Sequence, residues 1–235
     1  MAEFVPHGEL LDEVEAATVD RPPAIVANAH ITGPGVARAL TANDVPVIAI
    51  DRTGTGAAPP STSVAFAGAV TYPLDDQAGF RADIEAIAET VGNDLIAVAC
   101  MDEWVHAVTN TDPVGVRFPF ADRSVIDAVL DTSSLYRIDA DLGVPFPETR
   151  WSRETDVDTA IADLGLPLEV KPALKREFAE VSGTNVLEVG TAAELRDVVA
   201  MAEAADIEVL AQEKPPIAGG PRPHSRLLRP AERRR

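Results

Sequence analysis

The feature that most constrains this chain is a strand, glycine turn, helix and strand in succession between residues 24 and 51. Ala24, Ile25, Val26 and Ala27 form a short apolar run ahead of Asn28. Gly33-x-Gly35 then opens a helical stretch from Val36, and residues 45–50 form a second apolar run ending in Asp51-Arg52. Short, continuous apolar runs bounded by turn signals read as buried strands, and a helical crossover between two of them implies parallel pairing. The pattern continues downstream. Phe80, Ile84, Ile87 and Val91 mark one helix face, with Asp75 or Asp76 as its cap. Gly92 ends that helix, residues 95–99 form another strand, and residues 101–109 a helix with Trp104, Val105 and Val108 apolar. The chain through about residue 120 is therefore expected to be a doubly wound α/β unit. Ahead of it lies an acidic arm, residues 1–22, in which Leu10, Leu11, Val14 and Ala17 at helical spacing predict one surface helix.

Beyond residue 120 the pattern changes to α+β. Helical segments are expected at 123–130 and 133–142, closed by Gly143 and interrupted by Pro145 and Pro147. Another runs over 157–164, with Thr155 and Asp158 at capping-box spacing. Residues 168–171, 185–189 and 207–212 are strand-like. Between the last two, Thr191 and Glu194 form a capping box for a helix whose buried stripe is Leu195, Val198, Val199 and Ala202.

Charge narrows the function classes. The 235 residues carry 38 Asp and Glu against 20 Lys and Arg, net −18. Residues 221–235 hold six arginines and one acid, so residues 1–220 carry −23. That field opposes nucleic-acid and anionic-membrane binding, and it outweighs the Arg-rich tail as a nucleic-acid patch. Acid excess with only three lysines (Lys171, Lys175 and Lys214) is expected of a halophilic protein, since concentrated salt screens self-repulsion. One cysteine, Cys100, excludes an internal disulfide. The N-terminus lacks a signal-peptide pattern and no stretch is apolar enough to span a bilayer, so the expected location is cytoplasmic.

The candidate chemistry lies in two places. Gly33-x-Gly35 with Asp51 echoes a dinucleotide-binding unit, but Arg38 stands where the third glycine of the fingerprint belongs. A tight strand-to-helix turn explains the two glycines equally. Asp102-Glu103 follows a parallel strand, where acids cap a helix or line a ligand crevice. Cys100 and His106 are spaced like neither a catalytic pair nor a metal site, and the four histidines are scattered. In the second region Lys171 ends an apolar strand before Pro172, where an ammonium suits polyphosphate oxygens or simply snorkels to solvent. Gly183-Thr184-Asn185 offers backbone N–H groups and a hydroxyl for a phosphate-cradling turn. Gln212-Glu213-Lys214 ends a strand before two prolines, a polar edge suited to a purine and its ribose.

Several stretches then fall in a familiar order: Ser124-Val125-Ile126-Asp127 through Asp131-Thr132-Ser133, Leu142-Gly143-Val144-Pro145, Leu168-Glu169-Val170-Lys171-Pro172, Gly183-Thr184-Asn185-Val186 and Ala211-Gln212-Glu213-Lys214. Together they resemble the ATP-grasp carboxylate–amine ligases. Residues 23–120 are similar to that family's Rossmann-like pre-ATP-grasp domain and residues 121–220 to the N-terminal part of its ATP-grasp module. The resemblance implies an α/β fold whose ATP-grasp region is incomplete, with ATP, a small carboxylate and an amine as reactants. ATP would phosphorylate the carboxylate, and the amine would displace phosphate to give an amide-type bond. It also implies that Lys171, with Lys175 beyond it, meets the nucleotide phosphates. Gly183 and Thr184 would belong to the loop over them, and Gln212, Glu213 and Lys214 to the adenine hinge.

Two departures accompany it. Asp131-Thr132 stands where the family carries Asp-Lys, and the likeness stops near Gly219-Gly220, before the half expected to supply Mg²⁺ ligands. The implied protein is a truncated ligase, inactive alone, with residues 221–235 reading like sequence past a break. No catalytic residue or metal ligand is assigned. A catalytically dead nucleotide-binding or regulatory module and an NAD(P)-dependent oxidoreductase are the other readings.

Overall fold

A computed structural model describes residues 2–28, 30–92 and 94–214; the Pro/Arg-rich tail lies outside them. The chain opens with β1 (Phe4–Val5) and α1 (His7–Ala16), followed by β2 (Ala24–Ala27), α2 (Gly33–Thr41), β3 (Val47–Asp51) and β4 (Phe66–Ala69). Next come α3 (Gln77–Val91), β5 (Leu95–Ala99), α4 (Asp102–Thr111) and β6 (Val116–Arg117). These six strands form one sheet in the order β1-β4-β3-β2-β5-β6, with every pair parallel. β2 and β3 are buried at every residue, as the apolar runs of Ala24–Ala27 and Val47–Ile50 require, and β3 ends on the buried Asp51. From β2 the chain steps outward through β3 to β4, then crosses back to β5 on the other side. The carboxyl ends of β2 and β5 therefore flank a switch point, where such sheets leave a crevice.

Local chemistry fixes the entry and exit of several helices. A Cβ on Gly33 would sit 2.7 Å from the Asn28 carbonyl oxygen, so glycine lets α2 begin against the end of β2. Gly35 meets open space, and Arg38, at the third fingerprint position, is exposed. Of the two acids expected to cap α3, Asp76 does so, accepting from the N–H groups of Ala78 and Gly79 at 3.0 Å each.

The residues read as an acidic surface arm are part of this fold. Leu10 is fully buried and Val14 nearly so, because α1 packs on β4 and α3, and β1 extends the sheet beyond β4. β4, Phe66-Ala67-Gly68-Ala69, has too little apolar bulk to announce itself as a strand. Its small residues follow from the packing: a Cβ on Gly68 would lie 2.8 Å from the Leu10 side chain.

The second region runs α5 (Arg123–Leu130), α6 (Thr132–Leu142), β7 (Thr149–Trp151), α7 (Val157–Leu164) and β8 (Leu168–Pro172). It continues through α8 (Lys175–Ser182), β9 (Leu187–Val189), α9 (Ala192–Ala204) and β10 (Val209–Glu213). β7, β10, β8 and β9 form an antiparallel sheet in that order. The capping box of α9 is present as expected. The box expected at Thr155 is not the cap of α7. Asp156 takes that role, accepting from Thr159 N–H at 2.9 Å and from its hydroxyl at 2.7 Å, because a carboxylate meets both donors at once. α8 carries no sequence signature, since only Phe178 among its side chains is buried.

Because α1 is part of the core, Leu10→Ala should lower stability by about 2–5 kcal/mol. Urea denaturation of the two proteins measures it, and a loss well under 1 kcal/mol would mean the segment is peripheral after all.

Candidate functional site

Strand alternation divides the second sheet into two unlike faces. Leu168, Val170, Val189, Val209 and Ala211 point one way, into an apolar cluster with Ala160 of α7 and Leu195 and Ala202 of α9. The opposite face carries Glu169 and Lys171 of β8, Gln212 of β10 and Thr149 of β7, because Gln212 pairs across the sheet with both Glu169 and Thr149. There Lys171 Nζ donates to Gln212 Oε1 at 2.5 Å and lies 3.5 Å from Glu169 Oε2. Gln212 is buried, and its amide nitrogen donates to the Thr149 hydroxyl at 3.0 Å. Losing one partner of a buried amide costs about 1–3 kcal/mol, so Gln212 and Lys171 hold each other in place. Glu188 of β9 sits opposite Glu169 and pairs with Lys214 Nζ at 2.5 Å. Two lysines thus share one polar face, each already beside a carboxylate. Glu213 has the other orientation, and its carboxylate accepts from the Glu148 N–H at 3.0 Å.

The remaining nucleotide candidates are not gathered on that face. Lys175 starts α8, after the chain has turned out of β8, and its Nζ lies 3.7 Å from Asp102 Oδ2 on α4. Gly183 ends α8 at φ 76°, its N–H donating to Ala179 O at 2.9 Å. The Thr184 N–H reaches Ser182 Oγ at 3.3 Å. These amides, expected free to cradle phosphate, are instead used by the helix cap, for which a left-handed glycine is suited. Asp131 caps α6 through the Ser134 N–H at 2.9 Å, and the Thr132 N–H donates to Ala173 O at 2.8 Å, beside the β8–α8 connection. The sequence assigned no site role to Glu169, Thr149 or Glu188. The period-two run Leu168-Glu169-Val170-Lys171 held the signal for the first.

A second polar cluster occupies the switch-point crevice of the parallel sheet, about 310 Å³ in volume. It is lined by Asn28, Asp51, Arg52, Tyr72, Arg176 and the start of α4. Arg52 stacks over the Tyr72 ring at 4.4 Å, and Arg176 Nε of α8 donates to the Tyr72 hydroxyl at 3.1 Å. Burial pushes the Tyr72 hydroxyl pKa up, with the Arg176 hydrogen bond opposing. Burial likewise raises the Glu103 carboxyl above its ordinary range, partly offset by its own backbone N–H and by Arg176. Cys100 lies nearby with its thiol pushed up by burial. His106 turns away to Asp127 at 2.9 Å, so no Cys–His pair forms. Among the described residues, no group of three or more His, Cys, Asp or Glu is placed to hold a metal ion, and no helix is long and apolar enough to cross a membrane.

This arrangement matches solved structures, although no family model and no curated protein sequence matches the chain. N5-carboxyaminoimidazole synthetase from Staphylococcus aureus, complexed with ADP, superposes with TM-score 0.61 at 14% identity, over 84% of this chain and 48% of that one. L-amino acid ligase from Bacillus licheniformis gives 0.56 at 14%, over 84% and 45%. The biotin carboxylase domain of Hydrogenobacter thermophilus 2-oxoglutarate carboxylase gives 0.57 at 16%, over 81% and 44%. The fold is shared with part of each of these three structures, all of them ATP-grasp carboxylate–amine ligases. The chain spans about half the length of the structures it matches. A parallel α/β sheet followed by a small antiparallel sheet is the fold class expected, and the similarity lends the oxidoreductase reading no support.

Glu103 makes the site's pH behaviour checkable. A carboxyl whose folded pKa is raised contributes stability that is complete below its unfolded value, 4.5, and is lost as pH rises through the folded one. Replacing it by Gln removes that loss. Urea denaturation at about pH 5 and about pH 8 should therefore show Glu103→Gln gaining on the native protein as pH rises. A difference independent of pH would contradict the burial effect.

Proposed function

We propose that this chain is the part of an ATP-dependent carboxylate–amine ligase that receives the nucleotide. Lys171 meets the phosphates, and the end of β10, at Gln212, Glu213 and Lys214, receives the adenine. The observation that carries this reading is the polar face of the second sheet. It presents Lys171, locked by the buried Gln212, in a fold shared with an ADP-complexed enzyme. An ammonium held on a strand by a buried amide is fixed in place for phosphate oxygens, and phosphoryl transfer depends mainly on positioning and charge neutralisation. Lys214 at the strand end adds a second positive charge on that face.

The reaction belongs to the acyl-phosphate class. A carboxylate oxygen attacks the γ-phosphorus and ADP leaves. An amine nitrogen then attacks the acyl carbon, inorganic phosphate leaves, and the nitrogen gives up a proton. Mg²⁺, which the family uses, supplies charge neutralisation at the β- and γ-oxygens when bound. Among the described residues, Glu169 and Glu188 are the carboxylates of the polar face close to the lysines, and each is already paired with one. We therefore read the described residues as a nucleotide-binding wall that does not transfer the phosphoryl group by itself. A catalytically dead nucleotide-binding or regulatory module would present the same wall. The acid excess and the scarcity of lysine support a salty, cytoplasmic setting.

Calorimetric titration of the full chain with ATP and Mg²⁺ should show saturable binding. Lys171→Ala should weaken it by at least about tenfold, while the chain's own ADP release in amino-acid mixtures stays at background. Robust ADP release would overturn the claim of incapacity, and failure to bind any nucleotide would overturn the ligase reading.

A further inference from the structure

The hairpin of α5 and α6 turns apolar side chains to solvent. α5 carries Val125, Ile126, Val129 and Leu130 on adjoining helical rows, yet none of its residues is buried. Val125 and Val129, four apart on one face, are 48% and 52% exposed. On α6 and just beyond it, Ile138, Leu142 and Val144 are 38%, 73% and 44% exposed, and within α6 only Ser133 is buried. A single exposed valine or leucine needs no explanation. Two apolar stripes on two helices that pack together mark a surface built to be covered.

Position, charge and length point to one occupant. The described residues end at Lys214, beside this hairpin. Glu213 N–H donates to Glu148 O at 2.9 Å, and the Glu213 carboxylate accepts from the Glu148 N–H at 3.0 Å. Two residues before Glu148, the Phe146 ring stacks on Tyr136 of α6 with centroids 5.0 Å apart. Residues 215–235 therefore begin next to the exposed end of α6. They carry six arginines against one glutamate, net +5, and set the apolar pair Leu227-Leu228 between Arg226 and Arg229. The hairpin has the opposite sign. Its arginines, Arg123 and Arg137, are already paired with Asp127 and Glu154, while Asp139 and Asp141 beside Leu142 form no ion pair with a described residue. Leu227 follows Lys214 by 13 residues, which span up to about 45 Å when extended. The 11 residues of α6 are only about 16 Å long. A second copy fits less well, since residues 1–220 carry −23 and pairing two such faces would bring like charges together.

We propose that the apolar face of α5 and α6 is the docking surface for this chain's own residues 215–235. Leu227 and Leu228 cover Ile138, Leu142 and Val144, and the arginines on either side of them meet Asp139 and Asp141. Because the segment is tethered at Lys214, it meets the face at an effective concentration on the order of millimolar, so contacts too weak to hold a free peptide suffice. The acidic body and the basic tail are then complementary surfaces of one molecule. The docking surface adjoins the end of β10, so the segment borders the strand end proposed to receive adenine. Docking uses neither Lys171 nor Gln212, and it stands whether or not the nucleotide reading does.

The test uses the full chain with the photoreactive p-benzoylphenylalanine in place of Leu228. After illumination, mass spectrometry of the monomer band should join position 228 to peptides from residues 123–146. Leu142→Asp, a change at an exposed side chain that leaves both cores intact, should cut that yield about tenfold. In the chain without the photoreactive group, Leu227→Asp combined with Leu228→Asp should speed hydrogen exchange of the α5 and α6 amides about tenfold and leave α9 unchanged. Lys171→Ala should weaken ATP without altering the cross-link, which separates this proposal from the nucleotide reading. Three results would overturn it. Cross-links confined to a dimer band would assign the face to a second copy. Cross-links to other parts of the chain, or none, would remove the tail as its occupant. Exchange in α5 and α6 that ignores the double substitution would show that the tail does not cover them.

Discussion

The antiparallel pairing of β8 with β10 is the constraint on which the candidate site depends. Lys171 stands opposite Leu210 and Glu169 opposite Gln212, and that register places the ammonium within reach of the glutamine carbonyl. A slip of β8 by one residue would turn Leu168 and Val170 outward and bury the lysine among Leu195 and Ala202. The apolar face under α7 and α9 forbids it, so the same burial that stabilises the sheet also fixes where its charges point. Gln212 contributes from both ends of its amide, receiving Lys171 and reaching Thr149 on β7. Three strands are tied at one point of the polar face.

α8 carries the connection between the two sheets. It leaves β8 through Pro172, Ala173 and Leu174, and sets Lys175 against Asp102 and Arg176 against Tyr72. These contacts are polar and partly exposed, worth little one by one. Their arrangement matters more than their strength. The Arg52, Tyr72, Arg176 and Glu180 cluster closes one side of the crevice with groups drawn from both regions. The crevice is thus bounded by groups from the parallel sheet and from the element that runs out of the lysine strand.

Most of the parallel sheet could be read along the chain, because strands buried on both faces are apolar without interruption and their helices show a stripe. β4 and β1 could not. Gly68 is small because Leu10 presses on it, a reason that exists only once α1 has docked. The arm was misjudged for the same cause: its acids are plain in sequence, and the burial of Leu10 is not. α8 was missed because one buried phenylalanine makes no periodic pattern. In the site, Lys171 and Gln212 could be recognised at strand ends, while Gly183 and Thr184 offered amides whose use by the helix cap depends on α8 being there.

What the sequence determined by itself was the order of the elements, the doubly wound start, the Gly33-x-Gly35 turn and a set of polar residues placed at strand ends. These follow from local rules of periodicity, capping and turn chemistry. The tertiary structure alone decided which of those polar residues meet. Glu169, Thr149 and Gln212 lie dozens of residues apart and share a face only through strand register. Glu103, Trp104, Arg52 and Arg176 share a crevice only because parallel strands bring their carboxyl ends to one edge and α8 returns across them. Side-chain partnerships of that range are set by packing of whole elements, and no local pattern encodes them.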